Sequence, residues 1–387
     1  MKYLFHIWII FFAGFSILTA QEVKEKKWVL DGYIKNLVTF DVSGDSINLD
    51  NLIHNRLNFK WFPSEDLNVH IDLRTRIFAG KLVSSIPQFG EALDVSDDYF
   101  DLSVDFPKGR SWLVHSMIDR AYIEWYKNDW EIRLGRQRIN WGVNLVWNPN
   151  DLFNAYSYFD FDYTERPGSD AIRVTKYFGI SSSMEWAVNI NDDIDKIVLA
   201  GMYKWNKGNY DYQLIAAEAQ QDLAIGLAWA GNIGQAGFKG EATYFIPYKN
   251  KMENKDILMA SISVDYAFKS TLYFNASILF NSTGSDQLIV SGIGLLNSES
   301  ITARNLSPFS WSYFMQTSYQ FHPLINGGLS FIYFPGKRNA LFINPTFSYS
   351  FKENIDLSIV GQLYYDKILG DYGALARLIY LRIKWSF

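Results

Sequence analysis

The stretch LNVHIDLRTRI, residues 67–77, decides the fold. Apolar residues and one threonine stand at every second position, and Asn, His, Asp and Arg fill the positions between them. Because successive side chains of a β-strand point to opposite faces, this period of two predicts a strand with one apolar and one charged face. The same alternation returns in later stretches, among them 258–268 and 309–321.

Alternation alone is also typical of a soluble antiparallel sheet that buries one face, so the breaks between the stretches must distinguish the two. Every second break is short, as at 63–66 and 128–129. Several breaks on the other side are long, as at 80–115, 140–170 and 281–306. Short turns at one rim and long loops at the other are typical of an outer-membrane barrel.

Aromatic residues stand beside the short breaks, as Trp61, Trp125 and Trp385 do, which predicts a girdle at a membrane interface. The final stretch, 372–387, ends in Phe387. In this feature the chain resembles Gram-negative outer-membrane barrels, whose last strand serves as the signal for the barrel-assembly machinery. The resemblance implies that machinery as a partner, and outer-membrane lipid and lipopolysaccharide as surroundings.

We therefore predict an all-β chain: a transmembrane antiparallel β-barrel of about 18 strands, with about 16 as the alternative, and an inward-folded third extracellular loop. Residues 1–20 are predicted to be a signal peptide, because Lys2 precedes an apolar run that closes with Ala20. Residues 21–387 form a single barrel domain. The predicted location is the outer membrane of a Gram-negative bacterium.

Composition argues against several functions. The chain has no cysteine, which removes disulfides, thiol catalysis and cysteine-based metal sites. Its net charge of −5 and scattered basic residues give no footprint for nucleic acid. His70 and Asp72 share a strand face, but no third group that could activate them is evident. We expect no enzyme activity, no cofactor and no metal.

One hairpin fixes a register that the structure can test. If residues 128–129 form a two-residue turn, positions whose numbers sum to 257 pair across the two strands. Glu124 then faces Arg133 inside the barrel, and Tyr122 lies over Gly135. An opposite-charge pair at facing positions supports this register.

Basic residues dominate the inward positions of the second to fifth predicted strands, whereas later strands offer hydroxyl and amide groups. This ladder either favours anionic or polar solutes in a pore, or is neutralised by neighbouring carboxylates in a wet interior. The predicted pore-lining residues are Arg56, Lys60, Arg74, Arg76, Arg120, Glu124 and Arg133.

The break 140–170, which is the predicted third extracellular loop, and the residues on each side of it have their own pattern. GRQ at 135–137, WG at 141–142, Trp147 and DAIR at 170–173 resemble a segment of alginate-export-like barrels. The chain departs from that pattern in its insert 148–168, which is rich in Asn, Asp and aromatic residues.

A loop this aromatic is costly in water, so we expect it to pack against the inner wall. It is interpreted either as a salt-bridged brace or as a constriction that selects a solute. The residues assigned to this constriction loop are Arg136, Gln137, Trp147, Asp151, Arg166, Asp170 and Arg173.

The predicted function is a porin-like channel for passive or selective diffusion of small polar solutes, with anionic and sugar-like solutes as the candidates. An exopolysaccharide-export barrel and a non-channel enzyme or structural barrel are the alternatives. The chain could form a homo-oligomer, although no outward patch in the sequence marks a subunit interface.

Overall fold

The computed structural model describes residues 26–44, 46–86, 89–90, 99–106, 111–156, 158, 162, 165–166, 168–248, 255–285, 301–368 and 371–387. The predicted signal peptide lies outside these residues. Within them the chain forms nineteen β-strands, one short helix and one 3-10 turn. No helix in the described part of the chain is long and apolar enough to cross a membrane.

The first nine strands span β1 Trp28–Asp41, β2 Asn48–Ser64, β3 Leu67–Gly80, β4 Ser103–Phe106, β5 Trp112–Lys127, β6 Trp130–Gln137, β7 Ser169–Tyr177, β8 Ser183–Asn189 and β9 Val198–Lys207. The next five are β10 Tyr210–Ala219, β11 Asp222–Ile233, β12 Ala236–Pro247, β13 Ile257–Ala267 and β14 Tyr273–Asn281. The last five are β15 Trp311–His322, β16 Ile325–Phe334, β17 Ala340–Lys352, β18 Ile355–Ile368 and β19 Asp371–Ser386. Helix α1 is Lys81–Ser85, and the 3-10 turn is Ile194–Lys196.

Eighteen of these strands, all except β4, form a closed antiparallel barrel, which confirms the predicted strand number and excludes sixteen. Each strand pairs with its neighbours along the chain, and β19 closes the ring by pairing with β1. Phe387 completes the closure, because its backbone exchanges two hydrogen bonds of 3.0 Å with Gly32. Closure removes the free edges that would otherwise expose unpaired backbone groups.

The predicted hairpin register is confirmed. Glu124 pairs with Arg133 and Tyr122 with Gly135 across β5 and β6. Asn128 has a φ of 52°, the left-handed conformation that a two-residue hairpin turn requires. Gly135 also has a positive φ, 117°, and a Cβ there would lie 2.2 Å from the Ala121 carbonyl oxygen. Only glycine fits this position.

The outer face is apolar and aromatic, as the alternation predicts. Trp28, Trp61, Trp125 and Trp130 are 37–58% exposed and lie at the end of the barrel with the short turns. We call this the short-turn end. The strand ends that the connections 81–111, 138–168 and 282–310 join all lie at the opposite end, which we call the long-loop end.

Strand β4 is not one of the eighteen strands of the barrel. On one edge, residues 114–117 of β5 pair with β3, and on the other edge they pair with β4. On that second edge, β6 pairs only with Ala121 to Lys127, the part of β5 nearest the short-turn end. β4 therefore covers the part of β5 that the short β6 leaves unpaired.

A β-bulge in β5 changes which side chains face inward. The register against β3 shifts by one residue at this point, because Asp72 pairs with Arg120 and Leu73 with Ile118. Asp119 and Arg120 are consecutive, yet both are buried inside the barrel. Bulges commonly redirect side chains in this way.

Candidate pore

We call residues 138–168, between β6 and β7, the inserted loop. Its described residues, 138–156, 158, 162, 165–166 and 168, contact the inner wall of the barrel. It leaves the wall after Gln137 and rejoins it at Ser169. Its first contact is with β8, where Trp141 Nε1 donates a 2.6 Å hydrogen bond to Glu185 Oε1. Trp141 is 2% exposed and packs edge-on against Phe153 of the same loop.

Glu241 on β12 binds the loop most tightly. Its Oε1 accepts hydrogen bonds from the backbone N–H groups of Val143, at 2.6 Å, and Asn144, at 2.8 Å. Its Oε2 accepts a third, from the Asn150 N–H, at 3.1 Å. A buried carboxylate is stable only when its oxygens find donors, and three backbone donors satisfy that need.

Polar wall residues on each side of Glu241 extend this anchorage. Thr243 donates to the Pro149 carbonyl oxygen at 2.8 Å, and the Asn150 amide donates to the Leu227 carbonyl oxygen at 3.1 Å. Ser263 on β13 donates to the side-chain oxygen of Asn144 at 2.5 Å. The hydroxyl groups of Thr243 and Ser263 thus act as donors to the loop.

Further along, the loop reaches the strands near the end of the chain. The Tyr158 hydroxyl donates to Ser330 Oγ at 2.9 Å, and its ring lies 4.9 Å from that of Phe314, edge to face. Trp147 packs against the same phenylalanine at 6.3 Å. Phe314 is 3% exposed.

Asp162 then connects the loop to three strands around the seam of the barrel. Its carboxylate lies 2.9 Å from Lys35 Nζ on β1, 3.6 Å from His54 Nδ1 on β2 and 3.9 Å from Arg382 NH1 on β19. The Tyr33 hydroxyl donates to the neighbouring Glu165 carboxylate at 2.9 Å.

Arg120 on β5 brings the loop back to its starting side. Its NH2 group donates to the carbonyl oxygens of Glu165, at 3.0 Å, and Arg166, at 2.6 Å. The described residues of the loop thus contact β8, β11 to β13, β15, β16, β19, β1, β2 and β5. We call this series of contacts around the inner wall the ring.

On the long-loop side of this ring, the inner wall from β9 to β18 carries many apolar residues, together with buried polar ones such as Asp222 and Asp366. Its buried residues pack with the inserted loop and with the connection before β15 in one hydrophobic cluster. Wall members of the cluster include Met202, Ile215, Phe245, Met259, Leu279, Phe314, Ile332, Phe334 and Phe342. We call this the packed side.

The inner wall of β2, β3, β5 and β6, together with β7, is charged, and we call it the charged side. Asp119, 2% exposed, lies between Arg56 and Arg74; it is hydrogen-bonded to Arg56, and its Oδ1 is 3.4 Å from Arg74 Nε. Arg56 also reaches Asp72 at 3.0 Å. Arg133 pairs with Glu124 and, at 3.0 Å, with a second carboxylate on β6.

These contacts favour the interpretation that carboxylates neutralise much of the ladder. Arg173 on β7 likewise pairs with Glu131. Lys60 differs, since it is partly exposed near the short-turn end and no described carboxylate lies within ion-pair distance. Arg76 is partly exposed as well, and its guanidinium lies 5.3 Å from the Phe78 ring.

Four residues assigned to the constriction loop lie elsewhere. Arg136 and Gln137 end β6, and Asp170 and Arg173 are in β7, so all four belong to the wall. Arg136 faces Asp170 directly, with Nε to Oδ1 and NH2 to Oδ2 both at 2.9 Å. These residues belong to the paired ends of β6 and β7 and not to the connection between them.

Gln137 is fully buried and donates to the Ala171 carbonyl oxygen at 3.1 Å, which ties β6 to β7. Arg136 also donates to the carbonyl oxygen of Phe100, just before β4. The GRQ and DAIR residues therefore hold the wall together at the point where the loop leaves it.

Three other assigned residues do lie in the inserted loop. Trp147 and Asp151 are 6% and 1% exposed. Burial raises the pKa of the Asp151 carboxyl well above its ordinary value. Arg166 stacks on Tyr156, with its guanidinium carbon 3.6 Å from the ring centre. The contact between Arg166 and Tyr156 joins two residues of the loop itself, which favours a bracing role for the loop.

His70 and Asp72 do not form a dyad. His70 stacks on Tyr122, with ring centres 4.6 Å apart, whereas Asp72 binds Arg56. No group of three metal-ligating side chains occurs among the described residues.

Sequence reasoning missed the wall residues that bind the loop: Glu241, Lys35 and His54. It also missed Asp119, for which a signal existed. Strict alternation places that aspartate on the lipid side, where a charge is costly, so a bulge should have been suspected there.

Comparison with known proteins finds no matching family model and no matching curated protein. Solved structures do match. OccK11 (OpdR) of Pseudomonas aeruginosa has a TM-score of 0.59 at 10% identity over 93% of this chain and 96% of its own. OccAB4 of Acinetobacter baumannii has 0.58 at 12%, over 94% and 99%. OccK8 (OprE) of P. aeruginosa has 0.58 at 10%, over 93% and 98%.

The chain has the barrel fold of these Occ structures. At such low identity the likeness concerns the fold alone. The resemblance of the third loop to alginate-export-like barrels stays a prediction, and polysaccharide export stays with it.

Proposed function

We propose that this chain is an outer-membrane channel for the diffusion of small polar solutes, with anionic and sugar-like solutes as the candidates. The fold likeness to Occ porins supports the porin class. On that basis the chain resides in the outer membrane of a Gram-negative bacterium, is exported by its signal peptide, and is assembled through the strand that ends in Phe387.

The proposal depends on a difference between the two sides of the barrel interior. The inserted loop packs against the packed side, whereas polar groups of the charged side and of the short-turn end stay partly open to water. Lys60, His70 and Tyr122 are examples on the charged side. Lys239 and Asp265, 3.6 Å apart, are examples across from them. A solute would therefore pass along the charged side of the ring.

Planar-bilayer recording of the purified protein tests this proposal. The intact barrel should show discrete conductance steps, and a variant lacking residues 148–167 should show larger ones, because the ring is then open. Absence of steps in both proteins would contradict a channel. Reversal potentials in a salt gradient would report the preferred ion.

The second candidate is a closed structural barrel, and the packing of the inserted loop favours it. Trp141, Trp147 and Phe314 are almost fully buried, and Glu241 holds the loop with three hydrogen bonds. The recordings separate the two candidates: steps only in the deletion variant would identify a closed barrel. The enzyme alternative rested on His70 and Asp72, and these two residues bind different partners.

A further inference from the structure

Among the described residues, a group of neighbouring polar side chains lies on one side of the outer surface, between the two ends of the barrel. They occupy outward positions of β1, β2, β3 and β5, in alternation with buried inward residues such as Lys35 and His54. We call them the polar outer patch: Asn36, Asn51, Asn55, Thr75 and Ser116.

The rest of the described outer wall lacks such a patch. Outward positions at this height on β8 to β14, such as Leu214, Ile225 and Ile262, are apolar or glycine. On β15 to β19 they are apolar or glycine too, except Thr317. The charged residues Arg136 and Asp170 beside β4 bind each other.

The patch is continuous. Across the ladder, Asn55 pairs on one edge with Ile34 and on the other with Thr75, which in turn pairs with Ser116. Asn36 lies beside this row, and its amide reaches Asn51 at 3.0 Å.

The patch also lies within the apolar band. Trp28, Trp61 and Trp125 follow it toward the short-turn end, and the outward Phe40 and Trp112 follow it toward the long-loop end. In a membrane these side chains would therefore face lipid tails, not headgroups.

Thr75 and Ser116 are hydrogen-bonded to each other at 2.7 Å, whereas the asparagine amides of the patch have groups that lipid tails cannot satisfy. Among the described residues, the bond from Asn36 Nδ2 to Asn51 Oδ1 leaves the Asn36 carbonyl oxygen and the Asn51 amino group without partners. Asn55 makes one long bond, 3.4 Å, to the Tyr33 carbonyl oxygen. Polar groups in hydrocarbon are costly unless they are paired.

We propose that the polar outer patch is the contact surface between two copies of this chain in the membrane. Each asparagine amide carries both donors and acceptors, so the patch is complementary to itself. A two-fold contact brings the same patch from both copies together, which is the commonest symmetry of homo-oligomers. The sequence alone did not reveal this surface, because the five residues come together only through the strand register.

This inference rests on the proposed placement of the barrel in a membrane, but not on conduction. The two can therefore fail separately. A dimer without conductance steps would contradict the channel alone, and a conducting barrel that never dimerises would contradict this inference alone.

Cross-linking tests the contact, and the absence of cysteine makes it specific. Asn36→Cys, Asn51→Cys, Asn55→Cys and Ser116→Cys would each be expressed as the full chain in outer membranes and treated with a short bismaleimide. The matched control is Ile262→Cys, which is outward and 47% exposed on β13, on the opposite side of the barrel.

The patch variants should yield a product of twice the monomer mass, and the control should yield none. Equal cross-linking at Ile262→Cys, no product from any patch position, or a product of another mass would each overturn the inference.

A second variant removes the contact without harming the barrel. Asn36→Leu, Asn51→Leu and Asn55→Leu together make the patch as apolar as the rest of the outer face, so the barrel should assemble normally. Native mass spectrometry should show dimers of the natural chain and loss of dimers in this variant. Dimers that persist in the variant would overturn the inference.

Discussion

The charged side and the packed side of the interior differ in what holds them. On the charged side, Arg56, Arg74 and Asp119 are held by one another. On the packed side, Phe314 and its neighbours are held by the inserted loop. The cluster around Asp119 is thus held by wall residues, whereas Phe314 packs against the inserted loop. Removal of the loop should therefore affect the two sides differently.

Among these variants, Asp119→Ala is expected to change the protein most, through its stability. This change leaves two buried guanidinium groups without their shared carboxylate, which should lower the free energy of unfolding by about 3–5 kcal/mol. Urea titration in lipid vesicles would measure it. Asp129→Ala is the control, because Asp129 is 64% exposed beside Lys176 and should change stability little. Equal effects of the two changes would mean that the wall does not depend on this cluster.

Phe314→Ala should have the second largest effect on stability. It opens a cavity between the wall and two aromatic residues of the loop, and such a change typically lowers the free energy of unfolding by about 3 kcal/mol. The loop should loosen as well, so protease sensitivity between β6 and β7 should rise. Phe351→Ala, on the outer face, is the control. If the loop stays protected, its attachment depends on other contacts.

Glu241→Gln should have a smaller effect on stability. The amide keeps one acceptor oxygen but puts a donor where the second carboxylate oxygen faced an N–H group, so the cost is about 1–3 kcal/mol. The loop tip around Val143 and Asn144 would then move more freely. In bilayers the current should become noisier. Glu218→Gln, on the outer face, should leave the current unchanged.

The smallest effect is expected from the Arg74→Ala and Arg76→Ala pair on ion selectivity. Arg74 is already paired with Asp119, so removal of both charges should reduce an anion preference without reversing it. Reversal potentials in a salt gradient would measure the change. A full switch to cation preference would mean that the carboxylates neutralise less of the ladder than the ion pairs indicate.

Local pattern predicted the fold because the period of two and the turn residues are properties of neighbouring positions. The register from residues 128–129 needed nothing more than the turn length. The entry of the loop into the barrel also followed from its own composition, since Trp147 and its aromatic neighbours needed burial.

The partners of the loop could not be predicted, because they depend on where a loop of thirty-one residues, 138–168, crosses strands distant in sequence. Nothing near Glu241 in the sequence distinguishes it from other inward polar residues. Asp119 was misplaced because a bulge breaks the alternation on which the prediction relied. The assignment of Arg136 and Asp170 to the loop failed because both lie in the paired ends of β6 and β7, where they bind each other.

The length of β6 has a consequence for sequence variation. β6 has 8 residues and β5 has 16, so the chain can turn inward at residue 138 only if β4 covers the remaining edge of β5. The second and third long loops are thus not independent of each other. In related chains, an insertion that lengthens β6 should accompany loss of β4, so the two loops should change length together.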